Sequence, residues 1–354
     1  MKIAGRDVGP GHPPFVIAEI SCNHGGSLSR ALEMISAAKA CGADAVKFQA
    51  TTAETITLNS SRPEFTIQGG PWDGRQLFEL YKGTETPFEW FPALKEAADK
   101  AGIIWFASVF SREAVDHMVL LNVPAIKIAS FELTDLPLIE YAATKGRPMI
   151  LSTGMASWKE IDEAIPKDMP LSGIALLHCV SGYPTKVEDA NLHRMNQLEN
   201  KYSGWGHEQV VGISDHSIGM EIPIAATALG ACIIEKHFRL EHHPDTEDAP
   251  FSLCAVDFAR MVTAVRATWA AVQDRQSAEE ESSRQLRRSL FCVADIKEGE
   301  RLTEKNVRSI RPGNGLPPKV LPMILGLIAL RDIERGEPLN WDMLTSLKPR
   351  AQLG

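Results

Sequence analysis

The chain alternates short apolar segments with longer stretches in which apolar residues recur every three or four positions. The longer stretches have the spacing of an amphipathic helix, and each short segment ends on a polar or charged residue. Repeated strand–helix alternation over about 250 residues predicts an α/β fold, a (β/α)₈ TIM barrel. The predicted strands are FVIAEI (15–20), DAVKFQ (44–49), IIWFAS (103–108), AIKIAS (125–130), PMILST (148–153), GIALLHC (173–179), VVGISDH (210–216) and ACIIEKH (231–237).

Polar side chains at the ends of these strands predict an active site. In a TIM barrel the carboxyl ends of the strands meet at one face, where catalytic residues gather. Such side chains are rare in a packed core, so we expect an enzyme. The residues concerned are Glu19, Lys47, Gln49, Ser108, Ser130, Glu132, Ser152, Ser214, His216, Glu235 and His237.

The pattern changes after residue 272. Residues 273–288 are polar and charged, which is typical of a linker or an exposed helix end. Residues 289–354 contain short apolar runs separated by Gly and Pro, which predict a small β-rich domain. Within it, DIKEGERLTEKNV (295–307) and DIERGEPLNWDML (332–344) both begin Asp-Ile-x-x-Gly-Glu-x-Leu and indicate a pseudo-repeat. The expected organisation is a barrel (1–272), a linker (273–288) and a C-terminal domain (289–354).

Composition narrows the class of protein. A formal net charge of −8 argues against nucleic-acid binding, which needs a basic surface. No apolar stretch approaches the roughly 18 residues of a membrane span, and MKIAGRDVGPG has no signal-peptide core. The six cysteines form no C-x-x-C pair and mostly lie in apolar runs. We therefore expect a cytoplasmic protein with reduced thiols.

The ends of the last two predicted strands carry a histidine pair. His216 and His237 would lie side by side at the top of a barrel, where both imidazoles can bind one divalent cation. Alternatively each is a hydrogen-bonded polar residue at a strand end. The flanking Asp215 and Glu235 favour the metal. Two protein nitrogens leave positions open for substrate, as in catalytic rather than structural sites.

Lys47 and Lys127 lie inside apolar strands, where an ammonium group needs a partner. Two lysines in a barrel mouth would bind a phosphate or carboxylate, with strand-end serines as neutral donors. The alternatives are that one lysine is a surface residue or that it is the imine-forming lysine of a lyase, as in class I aldolases. The histidine pair argues against an imine enzyme, which needs no cation.

Taken together, the motifs resemble the sialic acid synthase family, transferases that condense phosphoenolpyruvate with an amino-sugar aldehyde. The C-terminal domain resembles the antifreeze-like (SAF) domain of these enzymes. The motifs are AEISCNHGG (18–26), GADAVKFQ (42–49), KIASFELTDLPLI (127–139), LSTGM (151–155), LLHCVSGYPT (176–185), GISDHSIG (212–219), GACIIEKHF (230–238) and RPGNG (311–315).

The resemblance implies roles for individual residues. His216 and His237 would bind manganese or magnesium, and Glu19 would lie near the reacting carbons. Arg311 would enter the active site of a partner subunit, which implies a domain-swapped homodimer. Lys127 is expected to be catalytic as well as a ligand. The phosphoenolpyruvate ligands would be Lys47, Gln49, Ser108, Lys127, Ser130, Ser152 and Ser214, and the sugar ligands Glu132, Tyr183 and Asp248.

Several segments, among them 70–90 and 310–319, look like the branch that makes pseudaminic acid. The expected substrate is then 2,4-diacetamido-2,4,6-trideoxy-altrose, and the products are pseudaminic acid and phosphate, released by C–O cleavage. N-acetylneuraminate or legionaminic acid synthesis is the alternative, and a Schiff-base lyase is a more distant one. We expect the segment 56–86 to determine which sugar is accepted.

Two departures from the family pattern bear on the site. ASVF (107–110) stands where the family commonly shows Ser-Thr-Pro-Phe, which weakens the assignment of Ser108. Ser181 stands where N-acetylneuraminate enzymes carry an asparagine, which favours a different sugar. His24 is equally compatible with the site and with a cap on the following helix. EHHPD (241–245) is interpreted as a solvated loop rather than a second metal site.

Overall fold

The structure is a computed structural model that describes residues 1–69, 72–166, 172–203, 208–241, 246–274 and 278–345. The chain forms two compact units, residues 1–273 and 274–354. None of the described helices is long and apolar enough to cross a membrane.

Eight parallel strands form a closed barrel in the first unit. After a short antiparallel pair, β1 (Lys2–Ile3) and β2 (Arg6–Asp7), the barrel strands are β3 (Phe15–Glu19), β4 (Ala45–Ala50), β5 (Ile104–Val109), β6 (Ile126–Ile128), β7 (Met149–Ser152), β8 (Ile174–His178), β9 (Gln209–Asp215) and β10 (Ile233–Arg239). Each strand pairs with the next, and β10 pairs with both β9 and β3, which closes the ring. A two-residue strand, β11 (Leu253–Cys254), extends β10 in parallel. The predicted (β/α)₈ barrel is confirmed.

Helices follow the barrel strands and pack their apolar faces against the barrel. Serine or aspartate side chains cap the first turns of α1, α5, α6 and α7 and so fix where these helices begin. The helices of this unit are α1 (Leu28–Ala40), α2 (Ala53–Ile56), α3 (Leu77–Thr84), α4 (Phe91–Ala101), α5 (Arg112–Leu120), α6 (Leu136–Ala143), α7 (Trp158–Ala164), α8 (His193–Tyr202), α9 (Glu221–Ala228) and α10 (Ala255–Ala271).

Strand alternation divides the charged residues between the inside of the barrel and the layer under the helices. Glu235 and His237 face the cavity at the barrel mouth, whereas Lys236 points to the other side. There the Lys236 ammonium donates to Asp215 at 2.6 Å, and both groups are buried. This ion pair ties the ends of β9 and β10 together, at the residues that directly precede the two histidines in the chain.

The second unit has its own small apolar core. Its elements are α11 (Ala278–Ser283), β12 (Ser289–Cys292), β13 (Val307–Ile310) and α12 (Leu321–Ile324), and β12 pairs antiparallel with β13. The core gathers short apolar runs separated by turns, as the Gly and Pro spacing predicts.

The two copies of the repeat in this unit pair with each other about a local pseudo-twofold axis. Ile296 and Ile333 exchange two backbone hydrogen bonds of 2.9 Å. The equivalent aspartates, Asp295 and Asp332, each accept a backbone N–H of the opposite copy, at 2.8 and 2.9 Å. The structure therefore confirms the pseudo-repeat.

Candidate active site

A narrow polar cavity of about 50 Å³ opens at the carboxyl ends of the barrel strands. We call it the site cavity. Most of the residues singled out from the sequence line it, Glu235 among them. The predicted residues in its wall are Glu19, Lys47, Gln49, Ser108, Lys127, Ser130, Ser152, Tyr183, Ser214, His216 and His237.

Three predicted residues are not part of this wall. Glu132 lies two residues after Ser130, in a 3₁₀ turn that begins just past the short strand β6. Asp248 lies behind His237, with its Oδ2 3.3 Å from the histidine Nδ1. Arg311 belongs to the second unit, where it is exposed in the segment after β13. Its contact with substrate stays a prediction.

Lys47 is buried between two carboxylates. Its Nζ lies 2.6 Å from Glu19 Oε2 and 3.7 Å from Glu235 Oε1, and it donates to Ser108 Oγ at 2.9 Å. Burial alone would lower the pKa of Lys47, but the two carboxylates raise it above its ordinary value. Ser108 thus contacts a charged lysine inside the cavity despite the shifted family motif.

Glu235, named in the sequence as a polar strand-end residue without a role of its own, stands two positions before His237 and hence on the same face of β10. Its Oε1 accepts a hydrogen bond from Ser214 Oγ at 2.9 Å. Burial would raise its pKa, but Lys47 and Lys127 outweigh burial and lower the pKa to about 2. Glu235 is therefore a fixed negative charge in the cavity.

Lys127 has no ion pair among the described residues. Its Nζ donates to Ser152 Oγ at 2.6 Å and to the Ile128 carbonyl at 3.0 Å, and its side chain is buried. Burial lowers the pKa of this lysine because no carboxylate lies close enough to offset the desolvation. A buried ammonium with only neutral partners is costly unless an anion completes the site.

The two histidine rings lie 5.5 Å apart, centroid to centroid. Nδ1 of His216 lies 2.9 Å from the Val180 carbonyl, whereas Nδ1 of His237 lies 3.3 Å from Asp248 Oδ2 without the geometry of a hydrogen bond, so both Nδ1 atoms face protein groups. This leaves Nε2 of each ring for a ligand, the usual arrangement of metal-binding histidines. Burial and the neighbouring His237 lower the pKa of His216 to about 4, which keeps the imidazole neutral.

The donor set fits a divalent ion held by two imidazoles with several positions open. The described residues contain no group of three or more His, Cys, Asp and Glu side chains placed to bind one ion. The protein would therefore contribute two nitrogen ligands, and substrate and water would supply the rest.

Aromatic side chains form one side of the mouth. The ring of Tyr183 lies 4.2 Å from that of His216 and 5.2 Å from that of Phe251, centroid to centroid. Trp72 lies 6.5 Å from Tyr183, and its indole N–H donates to Glu247 at 2.8 Å. Neither Trp72 nor Phe251 was singled out in the sequence, because loop residues carry no periodic signal.

Glu132 differs from Glu235 in the direction of its pKa shift. Burial raises its pKa to about 7, although Lys127 opposes the shift, and its Oε2 is buried without a hydrogen-bond partner among the described residues. A carboxyl group that is partly protonated near neutral pH can donate or accept a hydrogen bond from a neutral ligand.

His24 makes internal contacts instead of lining the cavity. Its Nε2 lies 3.1 Å from Thr86 Oγ1, its Nδ1 accepts the Gly26 N–H at 3.2 Å, and its ring packs edge-on against Trp90. Burial lowers its pKa to about 4. It orders the loop after β3, while Ser27 caps α1. Residues 242–245, which include His242 and His243, lie outside the described residues.

Comparisons with known proteins agree with this geometry. Residues 34–277 match the NeuB family, and residues 287–345 match the SAF domain. Pseudaminic acid synthase of Campylobacter jejuni subsp. jejuni (strain 81-176) is 42% identical over 331 residues, 92% of this chain and 95% of that protein. Pseudaminic acid synthase of Helicobacter pylori (strain 26695) is 42% identical over 336 residues, 93% of this chain and 97% of that protein.

A solved structure extends the likeness to three dimensions. The N-acetylneuraminic acid synthetase of Leptospira borgpetersenii, crystallised with citrate, superposes with a TM-score of 0.69 at 34% identity. The match covers 80% of this chain and 94% of that one. The fold class predicted from the sequence, a TIM barrel with a C-terminal SAF domain, is thus confirmed.

Proposed function

The chain belongs to the NeuB family and is a nonulosonic acid synthase, and on that premise we propose that it makes pseudaminic acid. The reaction joins phosphoenolpyruvate, 2,4-diacetamido-2,4,6-trideoxy-altrose and water, and it releases phosphate. Identity to pseudaminic acid synthases is 42%, against 34% to the N-acetylneuraminic acid synthetase, which favours this branch. The observation that carries the proposal is the buried Lys127 without an anionic partner, because it calls for an anionic substrate.

We assign the phosphoenolpyruvate site to the part of the site cavity lined by the carboxyl ends of β4, β6, β7 and β9. Lys127 and Lys47 would face the phosphate and carboxylate groups, and Ser130 and Ser152 would donate neutral hydrogen bonds. Ser214 donates to Glu235 and would donate to the substrate only after turning its hydroxyl away from that carboxylate. Ser152 already touches the Lys127 ammonium, so a single anionic oxygen can contact both.

Charge balance supports a divalent ion at His216 and His237. With both lysines protonated, Lys47 and Lys127 only offset Glu19 and Glu235, so the cavity walls carry no net charge. Phosphoenolpyruvate brings between two and three negative charges, which need further cations in a dry cavity. When bound, a manganese or magnesium ion would supply Lewis acidity to the aldehyde oxygen of the sugar. Equilibrium dialysis against manganese, with His216→Ala as the comparison, tests this assignment.

The chemistry that the side chains allow follows from these positions. The methylene carbon of phosphoenolpyruvate attacks the aldehyde carbon, and a C–C bond forms while positive charge develops at the phosphate-bearing carbon. Water adds to that carbon and yields its proton to Glu19 as base. The tetrahedral centre then loses phosphate by C–O cleavage, which leaves a nine-carbon 2-keto acid. Lys47 Nζ lies 2.6 Å from Glu19 Oε2 and orients that carboxylate.

The sugar would lie on the outer side of the cavity. Tyr183 supplies an aromatic face beside His216, and Asp248 and Glu132 flank the mouth as hydrogen-bonding groups. Gln49 donates to Ser21 at 2.9 Å and to Glu19 at 3.2 Å, so its position is fixed before substrate binds. The loop that carries Trp72 borders the same mouth, in keeping with a role in sugar choice.

We further propose a domain-swapped homodimer in which Arg311 of the partner subunit reaches the phosphate or carboxylate of the substrate. Large apolar side chains stand exposed in loops around the mouth and call for a cover. They belong to Leu58, Phe131, Met155, Val187 and Ile218, each more than half exposed. A cytoplasmic location is proposed as well, on the free state of all six cysteines.

Isotope labelling tests the reaction class. Phosphoenolpyruvate labelled with heavy oxygen at the bridging position should deliver the label to the released phosphate, because the C–O bond breaks. Label retained in the keto acid would mean P–O cleavage and would refute the mechanism. Release of phosphate from phosphoenolpyruvate and the sugar, without formation of pyruvate, would support a synthase.

The low pKa of Lys127 also suits the Schiff-base lyase alternative, since an imine forms from a neutral amine. Borohydride added to the protein with pyruvate separates the two functions. A synthase stays active and unmodified, whereas a lyase loses activity and gains the mass of a reduced adduct on Lys127.

A further inference from the structure

The buried ion pair between Asp215 and Lys236 lies behind the two histidines, on the face of the strands that points away from the site cavity. The two residues are direct partners in the ladder that joins β9 and β10. Each immediately precedes a histidine, Asp215 before His216 and Lys236 before His237. Because side chains alternate along a strand, the ion pair faces away from the cavity that the histidines line. The proposed reaction uses neither charge.

His216 lies just beyond the end of its strand, so the strand alone does not fix its position. Strand β9 ends at Asp215, and its ladder with β10 ends at the pair Asp215–Lys236. On the side of β8, the Thr185 N–H donates to the His216 carbonyl at 2.9 Å. On the side of β10, the hydrogen bonds that hold this segment come from the ion pair.

The ion pair holds the backbone on both sides of His216. Asp215 Oδ1 accepts the Ser217 N–H at 3.0 Å, and Asp215 Oδ2 accepts the Ser217 hydroxyl at 2.9 Å. The Lys236 ammonium donates to Asp215 Oδ2 at 2.6 Å and also to the Ser217 carbonyl. All three side chains are buried. We call Asp215, Ser217 and Lys236 the clamp, and it joins the residue after His216 to the residue before His237.

Stability alone does not account for a buried ion pair at this position. Apolar side chains of similar volume often give equal or greater stability, because the desolvation of two charges cancels much of their attraction. The hydrogen bonds of the clamp provide direction instead, since they fix one strand end relative to the other. A metal site needs such support, because its ligands must be held to within about 0.5 Å of their working positions.

We propose that the clamp positions His216 and His237 so that both imidazoles reach one divalent ion. Asp215, Ser217 and Lys236 are then positioning residues that act through the backbone, and Asp215 is not a metal ligand. The clamp sets the separation of the two rings, which lie 5.5 Å apart between centroids. This role rests on the proposed function, because it requires the ion proposed at these histidines.

Manganese binding to the full-length protein tests the proposal. The double variant Asp215→Asn with Lys236→Met removes both charges, leaves no charge unpaired and keeps an acceptor for the Ser217 N–H. Its Kd for manganese should rise about tenfold or more above that of wild type. Pulsed EPR should detect two histidine nitrogens on the ion in wild type and fewer in the variant. Phosphate release should recover at high manganese, because the side chains that line the site cavity are unchanged.

A milder variant keeps the test valid when the double variant does not fold. Ser217→Ala removes only the hydroxyl bond to Asp215, and it should raise the Kd for manganese about threefold. The KM for phosphoenolpyruvate, measured at saturating manganese, should stay at the wild-type value in both variants.

An ion pair near the amino ends of the strands supplies the matched control. Arg266 lies 2.5 Å from Asp44, the residue directly before β4. Arg266→Met should lower the free energy of unfolding, because it removes the partner of a largely buried carboxylate. The Kd for manganese and the nitrogen count should stay at their wild-type values. Chemical denaturation of every variant measures its stability alongside metal binding.

Three results would overturn the role of the clamp. A folded double variant that binds manganese as tightly as wild type, through two nitrogens, would leave the metal site and the proposed function intact. A rise in Kd matched by Arg266→Met would show that the loss follows stability and not position. A wild type that binds no manganese would overturn the metal site together with the clamp, and phosphate release without manganese would show that the proposed reaction stands without either.

Discussion

At the scale of single residues, two lysines in similar sequence surroundings have different electrostatic environments. Strand register explains this: Glu19 stands directly opposite Lys47 on the neighbouring strand, whereas Ser108 stands opposite Lys127. The sequence predicts that both lysines face the barrel mouth. It does not reveal which lysine is already neutralised, because that depends on the register of strands far apart in the chain.

Replacing Lys127 by methionine should damage phosphoenolpyruvate binding severely. The variant keeps the volume of the side chain but removes the cation that lacks a protein counter-ion. We expect kcat/KM for phosphoenolpyruvate to fall about 100-fold or more. Steady-state kinetics measure it, with the exposed Lys159→Met as the matched control. Unchanged kinetics would remove Lys127 from the substrate site.

Glu132 should make stability depend on pH. Burial raises its pKa to about 7, so the folded protein holds a proton that the unfolded chain releases near its ordinary value of 4.5. The stability that this proton confers is present below about pH 4.5 and is lost as the pH rises through about 7. Glu132→Gln does not titrate at this position. The difference in free energy of unfolding between this variant and wild type should therefore be about 2 kcal/mol more favourable to the variant at pH 8 than at pH 5.

Chemical denaturation of wild type and Glu132→Gln at the two pH values measures this difference. The exposed Glu89→Gln serves as control. Its free energy of unfolding should differ from that of wild type by the same amount at both pH values. A Glu132→Gln difference that does not change with pH would show that Glu132 is ionised and solvated in the folded protein.

At the scale of elements, strand alternation predicts most of the site. Every predicted barrel strand is present within a few residues, and the polar residues at the strand ends do line one cavity. The same alternation places Glu235, two positions before His237, on the face of β10 that lines the cavity. The aromatic wall could not be predicted from the sequence, because Trp72, Tyr183 and Phe251 come from loops whose paths follow no period.

The pseudo-repeat of the second unit makes a prediction of its own. Ile296 and Ile333 are equivalent, are each about 1% exposed, and lie opposite each other. Either isoleucine changed to alanine should lower the free energy of unfolding by a similar amount, about 3 kcal/mol. The double variant should lose less than the sum, because each change removes part of the contact of the other.

Chemical denaturation of both single variants and the double variant measures these losses. Leu330→Ala, at a position 51% exposed in the same unit, should lose little. Clearly unequal losses at the two isoleucines, or full additivity, would contradict the pseudo-symmetric pairing.

At the scale of the whole molecule, the proposed dimer predicts complementation between inactive subunits. Arg311→Ala removes the arginine that would act in trans, and His216→Ala removes a metal ligand. Refolded mixtures of the two should regain activity, because some mixed dimers combine an intact barrel with an intact Arg311 of the partner subunit. Phosphate release before and after mixing measures the recovery. Mixtures as inactive as the separate variants would show that the arginine does not act across subunits.

The central claim is that this synthase uses the pseudaminic acid precursor, and phosphate release from phosphoenolpyruvate tests it most directly. Manganese-loaded protein would be assayed in parallel with the diacetamido altrose sugar, the legionaminic acid precursor and N-acetylmannosamine. We predict rapid release with the altrose sugar and at most slow release with the other two. Preferred use of another sugar would contradict the branch assignment, and no release with any of the three would contradict the reaction itself.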